Sequence, residues 1–214
     1  MVLFPFNVAT IMQPHPFVSE SEYFELDARA PEGVRLEYFG GIVYCNGQPY
    51  IPDLAEAMAG ETEAHSRVKD NAFLTLQEQM PEGCRAYTAG MRVLAPGYSK
   101  QDYAYSDVIV TCGTLHFDES KTPPVLLNPV LLVEILSRST RSHDYITKEK
   151  AYFRVESLLE YWIVDPERFH VRRHHHGVVE EGAIVRIDFE NETDVVPGDI
   201  PGSIEVPLAA FYVK

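Results

Sequence analysis

The chain has 214 residues, 18 Lys and Arg against 32 Asp and Glu for a formal net charge of −14, and 45% hydrophobic residues, which is enough apolar sequence to fill one sizeable core. A single domain over 1–214 is therefore expected, with residues 1–17 as an irregular arm because they carry Pro5, Pro14 and Pro16 and no sustained period. No stretch approaches the roughly 20 apolar residues of a membrane helix and the first residues lack the pattern of a signal peptide, so a soluble, cytoplasmic protein without membrane contact is expected, and the acidic balance excludes generic attraction to nucleic acid while leaving room for a local basic face.

Ser19 followed by Glu22 has capping-box spacing and predicts a short helix over Ser19 to Asp27, ended by Ala30-Pro31-Glu32-Gly33. Two runs rich in β-branched and aromatic residues, Val34 to Phe39 and Ile42 to Cys45, flank Gly40-Gly41 and predict a hairpin. From Pro52 to Met80 the apolar residues take helical spacing, with Ala64, Val68, Ala72, Leu76 and Met80 at steps of four, giving one long helix or two joined near Gly60. Strands follow at Arg85 to Thr88, Met91 to Ala95 and Tyr105 to Thr111, and the nearly continuous apolar run Val130 to Leu136 has the character of a central strand buried on both faces. A helix from Asp144 to about Ser157 leads to another apolar strand, Tyr161 to Val164. Further strands are expected at Phe169 to His174, Val178-Val179 and Ala183 to Asp188, with a short terminal helix over Pro207 to Tyr212. The order is that of a mixed α/β domain around one sheet.

The most informative residue is Glu134, a carboxylate inside the central apolar run. An ionised Glu there costs several kcal/mol unless something positive offsets it, so a neighbouring cation or a position at the strand's edge is required. Asp107 interrupts the run Tyr105 to Thr111 in the same way. Two acids on neighbouring strands with a Lys a little later form the minimal kit of a magnesium site that hydrolyses a phosphodiester, because a hard divalent ion takes oxygen ligands and activates water. The alternative is a pair of strand-end acids that face solvent or an Arg.

Other candidates are weaker. Cys45, Cys84 and Cys112 are widely spaced and odd in number, with no CxxC, which supports neither a disulfide framework nor a thiolate zinc site and predicts reduced thiols. His174-His175-His176 cannot converge on one ion from an extended strand, whose side chains alternate, so with His170 they read as a polar strand surface. Arg168, Arg172 and Arg173 read as solvated charge or as part of a DNA-facing patch.

The run Leu131-Leu132-Val133-Glu134-Ile135-Leu136-Ser137-Arg138-Ser139-Thr140, then Asp144, Lys148 and Tyr152, then Glu160-Tyr161-Trp162-Ile163-Val164-Asp165-Pro166 resembles the signature of the Uma-two family of restriction endonucleases, in the PD-(D/E)XK nuclease superfamily. Leu36-Glu37-Tyr38 and Gly41 to Tyr44 are similar to that family's early hairpin, His65 falls where its long helix carries a His, and Pro207 to Tyr212 is similar to its terminal helix, so the likeness spans most of Ser19 to Tyr212. Ser106 stands where the superfamily has Pro, Gly40-Gly41 where the family has Asp-Gly, and Leu136 where the superfamily's textual pattern has its Lys.

The resemblance implies a restriction-endonuclease-like α/β (mixed α+β) fold, with a central mixed sheet, flanking helices and additional β-hairpins. It implies that Asp107 and Glu134 ligate Mg2+, with Mn2+ as a substitute, and that the backbone carbonyl of Ile135 completes the protein's share of the shell. Lys148 is the implied replacement for the missing Lys, and its spacing to Asp144 and Tyr152 puts all three on one helical face. Glu37 is either a third acid near the metal or a strand residue bonded to a loop. His65 is either packed on its helix or in contact with the acids or a phosphate. The implied function is a metal-dependent endonuclease acting on DNA, as a homodimer because two strands are cut most simply by two sites related by a two-fold axis. The alternatives are a catalytically silent binding or scaffold protein on the same fold, motivated by the charge of −14 and the missing Lys at position 136, or a phosphoesterase acting on RNA or nucleotides.

Overall fold

The computed structural model describes residues 17–31, 33–50, 61–88, 90–97, 101–177 and 183–213. In chain order the elements are α1 (Glu20–Arg29), β1 (Leu36–Phe39), β2 (Ile42–Cys45), β3 (Gln48–Pro49), α2 (Glu63–Gln79), β4 (Cys84–Thr88), β5 (Arg92–Pro96), β6 (Gln101–Tyr105), β7 (Val108–Cys112), β8 (Phe117–Asp118), β9 (Val125–Leu126) and β10 (Leu131–Ile135). A π-helical segment, His143–Lys148, then runs into α3 (Glu149–Tyr152), followed by β11 (Glu160–Val164), β12 (Val171–His176), β13 (Ile184–Phe189), β14 (Val195–Gly198), β15 (Ile204–Pro207) and a 3-10 helix, Leu208–Tyr212. Most of the expected arm, residues 52–60 of the expected long helix and the strand at Val178-Val179 lie outside the described residues.

The mixed α+β class matches the expectation, but the single sheet becomes two. One has the order β3-β2-β1-β6-β5-β9-β8, the other β13-β12-β11-β10-β7-β4, and β14 pairs with β15 alone. The strand expected over Tyr105 to Thr111 is divided between them: β6 ends at Tyr105 in the first sheet and β7 begins at Val108 in the second. Ser106 and Asp107 make the crossing. Ser106 replaces one missing backbone partner, its hydroxyl donating to the Val133 carbonyl at 2.8 Å.

Alternation along β10 places the layers. Leu131, Val133 and Ile135 join Val68, Ala72 and Leu76 of α2, with Trp162 and Phe211, in one core. Leu132 and Leu136 face the opposite way, into a core shared with Ala151 and Tyr152 of α3 and with Val93, Ala95 and Ala104 of the other sheet. Glu134 has the parity of Leu132, so its carboxylate points into the space between the two sheets. A third core packs Tyr23 of α1 on Leu36, Tyr38 and Tyr103.

Local chemistry explains several boundaries. Both halves of the Ser19/Glu22 capping box are formed at α1. The hairpin turn between β1 and β2 needs positive φ at two successive residues, and Gly40 and Gly41 supply φ 59 and 92. The short strands β3, β8 and β9 and the β14–β15 pair carry no long alternating run and escape the sequence pattern. The helix expected to run to Ser157 stops at Tyr152.

Three expectations about polar residues are corrected. Cys84 and Cys112 face each other across the β4–β7 ladder and form a disulfide; 28 residues separate them in sequence, and only the antiparallel register brings them together. Cys45 remains free. Arg173 is buried, not solvated, with its guanidinium on Glu160 and Asp199. His174 and His170 are also interior: His174 lies on the Tyr161 ring, and His170 meets Asp188 at 2.9 Å. No metal-binding group of three or more His, Cys, Asp or Glu exists among the described residues.

Because the disulfide closes a 28-residue separation, chain entropy assigns it about 3–4 kcal/mol. Reduction with dithiothreitol, or a Cys84→Ser, Cys112→Ser double variant, is expected to lower Tm by about 10 °C, read by calorimetry. An unchanged Tm alongside two titratable extra thiols would refute the bridge's contribution.

Candidate active site

The register of β7 against β10 runs Val110 to Leu131, Ile109 to Leu132 and Val108 to Val133. One further step sets Asp107 opposite Glu134, at the point where the two sheets part. Asp107 Oδ2 accepts from the Ile135 amide at 2.8 Å, so a side chain continues the ladder where the backbone leaves it.

Lys148 answers the requirement that Glu134 raised. Its Nζ lies 3.1 Å from Glu134 Oε2, 3.0 Å from Glu37 Oε1 and 2.9 Å from the Tyr105 carbonyl oxygen, with Asp144 Oδ1 at 3.6 Å. Of these, the Tyr105 carbonyl accepts a hydrogen bond and the three carboxylates lie at ion-pair distance. The side chain is 5% exposed. Burial by itself would drive off the proton, yet Glu134, Glu37 and Asp144 hold the ammonium well above its ordinary pKa.

The acids respond differently. Burial pushes the Glu134 carboxyl well above the usual range, against Lys148, with Asp144, Asp107 and Glu37 adding to the rise. Tyr152 donates to Glu134 Oε1 at 3.0 Å. Burial also opposes ionisation of Glu37, but Lys148, His143 and the Tyr105 amide outweigh it and hold that carboxyl down to about 2. Asp144 is 1% exposed, its carboxylate oxygens have no hydrogen-bond partner, and burial raises it to about 6 against the pull of Lys148.

His65 reaches the site from α2. Its Nε2 lies 2.9 Å from the Ile135 carbonyl oxygen and 3.7 Å from Asp107 Oδ2, so of its two expected environments it takes the one beside the acids. The carbonyl expected to face a metal therefore already accepts one hydrogen bond and keeps one lone pair. Of its two expected environments Glu37 takes that of a third acid in the cluster, and the amide it accepts from is that of Tyr105 at the end of β6 rather than one in a loop.

Asp107, Glu134, Ile135, Lys148, Glu37, His65 and Asp144 all line one cleft of about 1180 Å³, while Tyr152 lies behind Glu134. The rest of the cleft's lining is mixed in charge: Arg35, Arg138 and Arg141 on one hand, Glu61, Asp165 and Glu167 on the other, with Arg141 paired to Asp165 at 3.0 Å. The residue that sequence reasoning missed is His143, whose Nε2 lies 3.3 Å from Glu37 Oε2. In an α-helix it would sit about 140° around from Lys148, so regular spacing gave no sign of it.

The donor chemistry fits a hard divalent cation. Glu37, Asp107, Glu134 and Asp144 bring four carboxyl groups around one Lys, and the Asp144 oxygens are without donors. Since no three ligating side chains among the described residues close around an ion, a cation here would be held by two carboxylates and complete its shell with water and phosphate oxygens, the usual manner for magnesium.

The family model Uma2, described as "Putative restriction endonuclease", matches residues 21–209. The chain belongs to this family. An uncharacterized protein of Synechocystis sp. is 26% identical to this Uma2-family chain over 163 residues, 76% of each. A crystal structure described as a putative nuclease belonging to DUF820, from Anabaena variabilis, covers 89% of this chain and 97% of its own at 14% identity and a TM-score of 0.61, a likeness of fold. The family supports a nuclease-like function. No helix among the described residues is long and apolar enough to cross a membrane.

The raised Asp144 sets a pH dependence of stability. Its folded pKa of about 6 lies above the ordinary value of 3.8, so between the two the folded chain holds a proton that the unfolded chain releases, and stability falls as pH rises through that window. Asp144→Asn removes the penalty. It should melt about 5–10 °C above the wild type at pH 7.5, by the linkage of about 3 kcal/mol, and match it below pH 4. Equal melting at both pH values would show that Asp144 is not destabilising in the folded protein.

Proposed function

We propose that the protein is a metal-dependent endonuclease that hydrolyses phosphodiester bonds in DNA, with Asp107, Glu134 and the Ile135 carbonyl holding Mg2+ or Mn2+. The observation that carries this reading is the meeting of Asp107 and Glu134 where the two sheets part, in a cleft whose lining is hard oxygen donors around one buried Lys. Such an ion, when bound, supplies a water of lowered pKa and charge neutralisation at the attacked phosphate.

The chain's own residues have separable tasks. Asp107 is aligned by the Ile135 amide, and His65 fixes the Ile135 carbonyl from the other side. Lys148 and Tyr152 hold the two oxygens of Glu134 and set its direction. Lys148 also keeps a full positive charge beside the place where negative charge develops on phosphorus, an electrostatic role that needs no proton transfer. Exchange of one of its contacts for a phosphate oxygen or for the attacking water would bring it into direct play. Arg35, Arg138 and Arg141 in the cleft's lining supply the positive charge that a phosphodiester backbone requires on an otherwise acidic protein. Two copies in a homodimer would cut both strands.

One observation favours a second reading, a silent binding fold: the Lys148 ammonium is already held within the chain by the Tyr105 carbonyl, Glu37 and Glu134. Magnesium titration by calorimetry followed by plasmid nicking in the same samples separates the two. Under the nuclease reading, Asp107→Asn and Glu134→Gln each abolish ion-dependent nicking, a loss of at least about 100-fold, and weaken magnesium binding. Unaltered nicking by Asp107→Asn would overturn the assignment, and absence of magnesium binding to the wild type would favour the silent fold. A monomer by light scattering at micromolar concentration would remove the dimer.

A further inference from the structure

His143 lies outside every expected motif, yet it is 5% exposed and directed at the acid cluster. The winding of the chain explains how. Over His143–Lys148 the helix is π-helical, and in a π turn residues five apart are the bonded neighbours, which brings them nearer to one face than the roughly 140° that separates them in an α-helix. His143 and Lys148 are five apart, and both reach Glu37: His143 Nε2 is 3.3 Å from Oε2, and Lys148 Nζ is 3.0 Å from Oε1. One carboxylate thus lies within ion-pair distance of two side chains from a single turn of helix, although His143 Nε2 makes no hydrogen bond there.

The imidazole is itself held in place. It packs edge-on against Phe39 at 5.1 Å and tilted against Tyr44 at 4.6 Å, the residues on either side of the hairpin turn that follows Glu37. The turn after β2 locks the same segment: Gly47 has φ +70, and a Cβ there would lie 2.8 Å from Thr140 Cα and 3.2 Å from His143 Cβ. Gln48 donates to the Ser139 carbonyl at 3.0 Å. Hairpin and π turn therefore form one unit, with Glu37 on one part and Lys148 on the other.

We infer that His143 is a positioning residue of the site: through Glu37 it fixes the ammonium of Lys148, and through Lys148 the carboxylate of Glu134. The inference deepens the nuclease reading and rests on it for its effect on turnover, but its physical content is the order of Lys148, which is measurable without activity. A residue that merely filled the core would act through its ring alone, and a ring of similar size would replace it. A positioning residue must present a donor toward Glu37.

His143→Phe keeps an aromatic ring between Phe39 and Tyr44 and removes Nε2, whereas His143→Gln loses the ring and places an amide nitrogen near the same point. The first readout is the Lys148 ammonium signal in 1H–15N correlation spectra, visible in the wild type because the group is buried, hydrogen-bonded to the Tyr105 carbonyl and ion-paired with Glu37 and Glu134. It should vanish or broaden in the Phe variant and return in the Gln variant. The second is steady-state nicking: kcat falls about 10–100-fold in the Phe variant with KM unchanged, and the Gln variant recovers to within about 3-fold of the wild type. A Phe variant with the wild-type ammonium signal and kcat, or a Gln variant no better than Phe, overturns the inference. Should the Phe variant not fold, Glu37→Gln tests the same link from the other side, and an undisturbed Lys148 signal there overturns it too. A wild type that shows the ammonium signal but never nicks defeats the nuclease reading alone, and the signal in the variants still decides the role of His143.

Discussion

The ammonium of Lys148 is the interaction on which the rest of the site depends. Four carboxyl groups, Glu37, Asp107, Glu134 and Asp144, converge on a cleft that is largely withdrawn from water, and Lys148 contacts three of them. Removing charge from water costs several kcal/mol per ion, and such a cluster persists only when attraction and hydrogen bonds offset that cost. The offset is uneven. Glu37, with Lys148, His143 and a backbone amide, stays ionised, while Glu134 and Asp144, short of positive charge, are pushed upward. The same shortage that destabilises these two acids is what gives the cleft its affinity for a hard cation.

The second constraint is topological. A chain that crosses from one sheet to another must leave the backbone ladder, and at Ser106-Asp107 it does so beside the end of β10. The side chains take over where the backbone stops, Ser106 bonding Val133 and Asp107 bonding Ile135. This places an acid opposite Glu134 without bending either strand. Proline at 106 would stiffen the crossing but could not make the Ser106 hydrogen bond, so this chain secures the same corner by a different means.

Away from the cleft, the charged residues of β12 serve the fold. Glu160 is completely buried and satisfied by Arg173, the Trp162 indole and the Asp199 amide. Glu149 receives Arg186 and lies 3.2 Å from His174, whose imidazole burial pushes down to about 4. A run of Arg and His looks like a surface in sequence because composition registers charge and not the partner that neutralises it. Here the partners come from β11, from α3 and from β13, each distant along the chain.

Periodicity and local chemistry made much of the architecture legible: the capping box of α1, the Gly40-Gly41 hairpin, the helical spacing behind α2 and the apolar runs of β10 and β11 all follow from residues within a few positions of one another. Glu134 was legible for the opposite reason, because an acid in an apolar run demands a cation, and the resemblance to the Uma-two signature implied that Lys148 supplies it. What the tertiary structure alone decided were the facts that join distant parts of the chain. These are the division of Tyr105 to Thr111 between two sheets, the disulfide set by the β4–β7 register, the burial of Arg173 and His174, and the π turn that adds His143 to Glu37. Each depends on a packing energy summed over residues far apart in sequence, and no window of the sequence contains both halves of that sum.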